Sequence, residues 1–379
     1  MKNLSKILIG SGCLVFVFFI IKSCNDDFSL FGSTNYEVTG QFGDYVGGVV
    51  GTLFALAGTF LIYLTFNEQL RENKRNAFES IFFQMINLHK QNVSEFRLRI
   101  SENYIIENRE VVEEFFFEFI DCYRDIKNYS KNYNLDDCII PSYKKKLQEL
   151  TTKINNEINL LDLIIIDISY LIVFYGLNSE GLSVIRKNFL KKYNPAFYHK
   201  LLFYMELKPS QNNNRYLKLW LEARHLETKK LQNLVDELYK KRKQNKKIIL
   251  TDFAQNFELC QDYEKCFQGR QSYFGHYFRH LFQTFKYLNE NILDKNEKYK
   301  YGKMLRAQLS TYEQAILLIN SISSLGMKWE YNPEKYENDK INPKLITEFQ
   351  LIKNLPGEQM FGIKYNVYYP NVKFETMEI

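Results

Sequence analysis

The chain has 379 residues and a formal net charge of +6, which favours anionic partners only weakly. Its aromatic fraction is 16%, with 27 Tyr and 31 Phe, so a substantial core can be buried. It contains only 17 Gly and 7 Pro, which argues against a turn-rich β fold and indicates a mainly α-helical protein.

Two apolar segments lie near the N-terminus, at residues 7–21 and 45–66. The second contains no charged residue and has the length of about 20 residues that a helix needs to cross a bilayer. The first has a shorter apolar centre, which is typical either of a membrane span over residues 4–23 or of a cleaved signal peptide. We predict that it is uncleaved and that the two segments form a transmembrane hairpin over residues 1–66.

Charged residues around the two spans predict their orientation. Lys2 and Lys6 precede the first span, and three basic residues follow the second at positions 71–75. The link between the spans is acidic and has no basic residue beyond Lys22 at its edge. Because Lys and Arg collect on the cytoplasmic side of a membrane, both termini and the large remaining domain are expected in the cytoplasm.

Small residues fall on one face of the second span, at Gly47, Gly51, Ala55 and Gly58. Small side chains let two helix backbones approach closely and gain van der Waals contact. We therefore predict helix packing at this face, either against the first span or against a second copy of the chain. The expected partners at this end of the protein are the lipid bilayer and another protomer.

The rest of the chain is predicted to form a cytoplasmic α-helical domain over residues 67–355, with an extended C-terminal tail over residues 356–379. The predicted helices cover about residues 67–100, 111–129, 141–175, 181–207, 215–244, 253–293, 299–325 and 343–355. Residues 160–175 are very apolar, but they are short for a span and include Asp162 and Asp167. We predict a core helix there, ended by Gly176.

The densest group of residues suited to chemistry contains Arg270, His276, Arg279 and His280. An Arg beside a His can bind and protonate a phosphodiester, with His as acid or base and Arg against the developing charge. The spacing from Arg270 to His276 is similar to the loose pattern of HEPN ribonucleases, so these four residues are the catalytic candidates. The alternative is that they cap and cross-link helices in an aromatic core.

No cofactor or metal site is predicted. His276 and His280 have the spacing of a zinc-ligand pair, but Tyr277 stands where a metalloprotease has Glu and no third ligand can be named. The six cysteines are scattered and are expected to be reduced, mostly as apolar fillers. A basic run at residues 240–247 could contact RNA or anionic lipid, although a solvated helix end is the simpler interpretation.

The sequence contains four distinctive stretches: GRQS with GHYFRHL at residues 269–281, LRAQLS at residues 305–310 with Glu313 and Asn320, GDYVGG at residues 43–48, and FFQ at residues 82–84 with His89. Together they resemble the AbiC-like family of phage abortive-infection proteins, in which the corresponding stretches lie in the same order along the chain. The resemblance covers most of the chain except about residues 178–247.

The resemblance implies bacterial defence, in which phage multiplication is stopped by disabling the infected cell. Together with the two predicted spans, this implication leads us to expect a protein of the bacterial inner membrane that acts as a sensor or effector through a phage or host protein. A membrane-tethered ribonuclease acting on RNA and a membrane-permeabilising effector are the alternatives. Within the second stretch, Arg306, Gln308 and Glu313 are predicted to be structural or partner-binding, and Arg306 is expected to meet Glu313 or the His276 helix.

Overall fold

The computed structural model describes residues 2–25, 36–101, 103–210, 214–244, 249–258, 263–291, 294–331 and 344–375. It is mainly helical, as the composition predicts, and it divides into two compact units, Met1–Phe83 and Gln84–Ile379. The boundary predicted after residue 66 marks the end of the second membrane span rather than the end of a compact unit, and it stays a prediction.

The helices described are α1 (Lys2–Asn25), α2 (Tyr36–Tyr45), α3 (Gly51–Ser94), α4 (Arg109–Tyr129), α5 (Leu135–Cys138), α6 (Pro141–Thr152), α7 (Leu160–Tyr175), α8 (Ser179–Phe189), α9 (Pro195–Glu206), α10 (Asn214–Arg224), α11 (Thr228–Gln244), α12 (Asp252–Glu258), α13 (Gln271–Asn291), α14 (Lys295–Arg306), α15 (Thr311–Ile322), α16 (Leu345–Phe349) and α17 (Tyr365–Tyr368). Short antiparallel pairs are formed by strands β1 (Arg97–Ser101) with β2 (Tyr104–Glu107), and by β3 (Gln359–Met360) with β4 (Ile363–Lys364).

The first unit contains two helices that are long and apolar enough to cross a membrane. The apolar part of α1 is Asn3–Ile21. The second helix is the continuous run of α2, a π-helical turn at Val46–Val50 and α3, and its residues up to Phe83 belong to this unit. In each, only 11% of the apolar window is buried. The helical conformation of both predicted spans is confirmed. The second helix begins earlier than predicted, because Glu37 and Asp44 of the supposed link lie in α2.

The apolar helices of the first unit contact each other through aromatic side chains. The ring of Phe19 in α1 stacks on that of Tyr45 with 4.0 Å between centroids. A Cβ atom at Gly12 would lie 3.0 Å from the ring of Phe54 in α3, so glycine permits this close approach. The two helices therefore form a packed pair along these residues.

The core of the second unit is built on α7, which packs against α4, α8 and α15. Most residues of α7 are buried, including Asp167. The helix starts at the side chain of Asn159, which accepts hydrogen bonds from the N–H groups of Leu161 and Asp162, and it ends at Gly176. The prediction of a core helix over residues 160–175 is confirmed.

Several predicted helices are shorter in the structure, because polar side chains stop or restart them. Asn155 accepts a hydrogen bond from the N–H of Glu157, which forms an Asx turn between α6 and α7 where one helix was predicted. Asn194 and Pro195 start α9 within the predicted helix 181–207. Ser310 starts α15 within the predicted helix 299–325. The predicted helices 215–244 and 253–293 are likewise divided into α10 and α11, and α12 and α13.

Two segments differ more strongly from the prediction. The helix predicted to continue to residue 100 ends at Ser94, and the chain forms the hairpin β1–β2 before Asn108, whose φ is 56°. The predicted extended tail folds back as β3, β4 and α17 and buries the rings of Tyr365, Tyr369 and Phe374. The aromatic residues of this segment contribute to core packing.

Among the cysteines that the structure describes, Cys122 and Cys138 are buried, as predicted for apolar fillers. Cys266 is half-buried and Cys13 is exposed. The side chains of Cys24 and Cys260 lie outside the described residues.

Candidate functional site

Helix α13 is positioned by a contact between two glycines. Gly269, just before α13, has φ 90°, and Gly176, just after α7, has φ 83°. A Cβ atom on either would come within 2.5 Å of the other segment's backbone. This approach lets the Arg270 N–H donate to the carbonyl of Phe174 at 2.9 Å. The start of α13 is thus fixed to the end of α7, and only glycine fits at the two contact positions.

Arg270 is engaged in an ion pair with α4. Its Nε donates to Glu118 Oε2 at 2.9 Å, and the Arg270 side chain is only 13% exposed. Burial raises the pKa of Glu118, although the Arg270 charge opposes that effect. Arg270 does not line the cavity that contains His276. The structure therefore gives Arg270 a bridging position between α4 and the start of α13, and its catalytic role stays a prediction.

His276 and Arg279 lie beside a cavity of about 520 Å³, which we call the α13 pocket. Arg279 donates from Nε to the carbonyl of Gly275 at 2.9 Å, and its Nη2 lies 3.3 Å from His276 Nδ1. The pocket is lined by Phe174, Tyr175, Gln271, Ser272, Phe274, Gly275, His276, Phe278, Arg279, Asn320, Leu325, Lys328 and Trp329. Two of the four catalytic candidates therefore share one cavity.

The lining of the α13 pocket is basic. Arg279 and Lys328 carry positive charge, and no Asp or Glu lines the pocket among the described residues. The Lys328 Nζ lies 4.3 Å from the centre of the Phe282 ring, a cation–π contact that orients it. Such a cavity is suited to an anion, because cationic donors meet no competing carboxylate there.

His280 lies on a different side of α13 from the pocket. Its Nε2 is 2.9 Å from the carbonyl oxygen of Met85 in α3, and its ring is parallel to that of His89 at 6.5 Å between centroids. Next to it, the buried ring of Tyr277 contacts the same His89. His276 and His280 therefore have separate sets of neighbours, and the catalytic role of His280 stays a prediction.

Glu313 is the centre of a buried polar cluster with His89, Arg109, Tyr277 and Ser310. Its Oε2 accepts from the Ser310 N–H at 2.7 Å and lies 3.4 Å from Arg109 Nε. Its Oε1 accepts from the Tyr277 hydroxyl at 3.3 Å and lies 3.6 Å from His89 Nε2. Burial acts to raise the pKa of Glu313, but the His89 ring and the Ser310 N–H outweigh it, so the pKa lies below the ordinary value.

This Glu313 cluster borders a smaller cavity of about 190 Å³. His89 is 2% exposed, and neither of its ring nitrogens has a hydrogen-bond partner among the described residues, because 3.6 Å is too long for one. Asn108 also lines this cavity and has φ 56°, a region that favours glycine. The cluster joins α3, α4, α13 and α15, and its geometry indicates a structural role.

The predicted pairing of Arg306 with Glu313 is wrong. Arg306 is buried, and its Nη1 donates to the carbonyls of Phe349 and Gln350 at the end of α16, at 3.2 and 2.9 Å. Backbone carbonyls at a helix C-terminus can replace a carboxylate for a buried guanidinium. Gln308 accepts at its own carbonyl a bond of 2.7 Å from Arg109 Nη2. Arg109 therefore takes the place predicted for Arg306.

A second polar network, which no sequence motif indicates, ties α4 to α9 and α10. The buried Lys208 binds Asp121 and lies 2.7 Å from Asp125 Oδ2, and Arg224 Nε lies 2.7 Å from Asp125 Oδ1. Burial opposes the charge on Lys208, but the two aspartates outweigh it and raise the pKa of its ammonium. These partners lie far apart in sequence, so no local pattern brings them together.

The small-residue face of the second apolar helix is not covered within the described part of the chain. A Cβ atom at Gly47 or Gly58 would meet nothing within 4 Å, and one at Gly51 would meet only its own helix. Ala55 is exposed. Packing of this face against α1 is therefore not observed, and packing against a second copy stays a prediction.

Two further features of the sequence are a possible metal site and the basic run at residues 240–247. Among the described residues, no three His, Cys, Asp or Glu side chains are grouped so that they could hold a metal ion. In the basic run, Arg242 Nη1 pairs with Glu206 Oε2 at 2.8 Å, and residues 245–247 lie outside the described residues. Contact of this run with RNA or lipid stays a prediction.

Comparison with known proteins bears on one segment. A search of curated proteins and a search of solved structures each return no significant match. The family model described as "Putative phage abortive infection protein" matches residues 269–360. That segment contains Glu313 and every lining residue of the α13 pocket except Phe174 and Tyr175. The resemblance inferred from the sequence is thus confirmed over residues 269–360, which are similar to phage abortive-infection proteins.

Proposed function

We propose that this protein is a membrane-anchored phage-defence protein whose second unit lies in the cytoplasm and acts as the sensor or effector. The family match supports the phage-defence part of this function. Exposed apolar surface supports the membrane anchor, the distribution of charge supports the orientation, and the donors of the α13 pocket support the sensing role.

The observation that carries the proposal is the exposure of large apolar side chains on α1 and the first half of α3. Leu14 and Ile62 are both 72% exposed, and similar residues recur along both helices. The equally apolar α7 is buried, so apolar character alone does not explain the difference. Long helices with exposed apolar surfaces are stabilised by a bilayer and destabilised by water.

Charge supports the orientation. Lys6 lies near the start of α1, and Arg71, Lys74 and Arg75 follow the apolar part of α3, whereas Glu37 and Asp44 lie in α2 before it. This distribution favours a cytoplasmic location for both outer ends.

A binding role is favoured over ribonuclease activity because of Arg270. In a ribonuclease that uses Arg270 and His276, both side chains would face one substrate phosphate. Arg270 is instead paired with Glu118 and is absent from the α13 pocket. What remains in the pocket is a set of donors suited to holding a ligand.

The anchor is tested by placing a charge in the apolar part of α3. Leu56→Asp is compared with Leu221→Asp in α10, since the two leucines are 46% and 40% exposed and receive the same substitution. An Asp at the centre of a span costs about 2.5–3.5 kcal/mol on insertion scales. We expect Leu56→Asp to lose both retention in carbonate-washed membranes and protection in a plaque assay.

Leu221→Asp should retain both properties. Protease treatment of spheroplasts checks the orientation, because a cytoplasmic second unit is protected until the membrane is opened. Membrane retention of Leu56→Asp equal to that of the wild type would contradict the anchor. Absence of protection by the wild-type chain against a broad set of phages would contradict the defence role.

A further inference from the structure

We propose that the α13 pocket binds a nucleotide, with Arg279 and Lys328 holding its phosphate and the aromatic lining holding its base. This deepens the sensing part of the proposed function and rests on that function for its biological meaning. The binding itself depends only on the pocket, so it can be measured on its own.

Phosphate recognition follows from the donors in the pocket. Arg279 uses Nε on the Gly275 carbonyl and one Nη2 donor near His276 Nδ1, which leaves its other guanidinium donors for a ligand. A guanidinium can only donate, so this contact fits the His276 tautomer that has its proton on Nε2 and offers a further donor there. Lys328, which also lines the pocket, supplies the second positive charge.

The position of the pocket at the start of α13 also favours a negatively charged ligand. Ser272 and Gln271 in the first turn of α13 also line the pocket, and that turn contains no acidic residue. The N–H groups of a first helical turn and the helix dipole favour a negative charge. Together with Arg279 and Lys328, they form a positive region that no carboxylate among the described lining residues neutralises.

The aromatic residues of the pocket explain why the ligand is more than a phosphate ion. Tyr175 lines the pocket and is half-buried, and Phe174 packs edge-on against its ring with 5.1 Å between centroids. Stacking of a nucleic-acid base on an aromatic ring contributes about 1–3 kcal/mol. Asn320 in the lining donates to Tyr170 through Nδ2, which orients its side-chain amide in the pocket wall.

Size leads to the same class of ligand. A cavity of about 520 Å³ lies within the range of about 300–1,000 Å³ typical of small-molecule sites. A phosphate ion alone would fill a small part of it and leave the aromatic wall unused. A nucleoside phosphate uses both the cationic and the aromatic walls.

The test is isothermal titration calorimetry on the full chain purified in detergent. The probes are the four ribonucleoside monophosphates, the four triphosphates and inorganic phosphate. The variants are Arg279→Ala, Lys328→Ala and Tyr175→Ala. The matched control is Lys303→Ala, which removes an exposed lysine of α14 that is not in the pocket lining.

We expect at least one nucleotide to bind much more tightly than inorganic phosphate. Arg279→Ala and Lys328→Ala should each raise its Kd at least tenfold, whereas Lys303→Ala should leave it unchanged. Tyr175→Ala should weaken nucleotide binding and leave phosphate binding unchanged. Circular dichroism of each variant identifies any loss of fold, and Arg279→Lys, which keeps the charge, should retain part of the affinity.

The proposal is overturned if no nucleotide binds at millimolar concentration, or if Arg279→Ala and Lys328→Ala bind as the wild type does. Equal affinity for inorganic phosphate and all nucleotides would also overturn it. A plaque assay on the same variants separates this inference from the proposed function. Protection without nucleotide binding removes the inference only, and nucleotide binding without protection removes the defence role only.

Discussion

The two sides of helix α13 carry polar residues at similar helical spacing in opposite surroundings. Tyr277 and His280 face buried groups of α3 and α15, whereas His276 and Arg279 border a cavity open to ligand. On the Tyr277 side, the buried Glu313 carboxylate accepts the hydrogen bond of the Tyr277 hydroxyl. On the His276 side, no carboxylate lines the pocket among the described residues. The comparison indicates a structural role for the first side and supports the proposal that the second side binds a ligand.

The largest expected effect comes from removing the carboxylate of the buried side. Glu313→Ala loses the capping box with Ser310 and the contacts with Tyr277, His89 and Arg109. Hydrogen bonds to a charged group and a helix cap together contribute about 3 kcal/mol. We expect the free energy of unfolding to fall by that amount, as measured by denaturant titration in detergent.

The control for this change is Glu222→Ala in α10, where the glutamate is exposed and no ion pair within the described residues uses it. It should change the free energy of unfolding by less than about 0.5 kcal/mol. Equal effects of the two substitutions would mean that the Glu313 cluster does not stabilise the protein.

The next effect concerns the glycine contact that positions both sides of α13. Gly269→Ala places a Cβ atom 2.5 Å from the Tyr175 carbonyl oxygen and forces alanine to adopt φ 90°. Backbone conformations of this kind cost about 1–3 kcal/mol. We expect a loss of stability in that range together with weaker ligand binding, because the start of α13 must move.

Gly275→Ala is the matched control, because Gly275 lies within α13 and a Cβ atom there would meet only side-chain atoms at 3.8 Å or more. Gly275→Ala should leave the free energy of unfolding unchanged or raise it slightly, since alanine is favoured over glycine in a helix. A destabilisation as large as that of Gly269→Ala would contradict the special role of the contact with α7.

The elements that the sequence predicts correctly are those decided by local patterns. The apolar runs of α1, α3 and α7 fix their helical conformation, and the length and internal aspartates of α7 identify it as a core helix. The Ser310–Glu313 spacing fits a capping box, a signal that would have placed the break between α14 and α15. Signals of this kind are visible in the sequence because the interacting residues lie within one turn of each other.

What the sequence does not predict depends on contacts between distant segments. Arg109 rather than Arg306 reaches Glu313, and Lys208 meets Asp121 and Asp125 across the core. Arg270 and His276 are six positions apart, yet Arg270 precedes the helix and turns toward Glu118. Helical spacing indicates which residues share a helix, but only packing decides which of them is buried.

The pKa values of two buried glutamates, Glu313 and Glu118, are shifted in opposite directions, so the two residues should change the stability with pH in opposite directions. The pKa of Glu313 is lowered, so its stabilisation is present above pH 4.5 and is lost as the pH falls through its folded pKa. The pKa of Glu118 is raised by burial, so its contribution is present at low pH and is lost as the pH rises through its folded pKa.

Denaturant titrations of Glu313→Gln and Glu118→Gln between pH 3 and pH 7 measure both effects. The stability difference between wild type and Glu313→Gln should shrink toward pH 3. The wild type should lose stability relative to Glu118→Gln as the pH rises above 4.5. Changes of the same sign in the two variants would mean that the two carboxyl groups do not differ in their surroundings as described.

The smallest effect on stability is expected for His276→Ala, and it is the sharpest test of the two sides of α13. His276 is exposed and should contribute less than about 0.5 kcal/mol to the free energy of unfolding, whereas His280→Ala loses the contact of Nε2 with the Met85 carbonyl and about 1 kcal/mol.

For protection against phage, we expect the reverse, with a larger effect of His276→Ala than of His280→Ala. His276→Ala should lose protection in a plaque assay at equal membrane abundance, and His280→Ala should keep it. The exposed His225, just after α10, is the control, because His225→Ala removes an imidazole outside both sides. If His276→Ala protects as well as His225→Ala does, the His276 imidazole is not needed for defence, and a catalytic role of His276 in protection is ruled out.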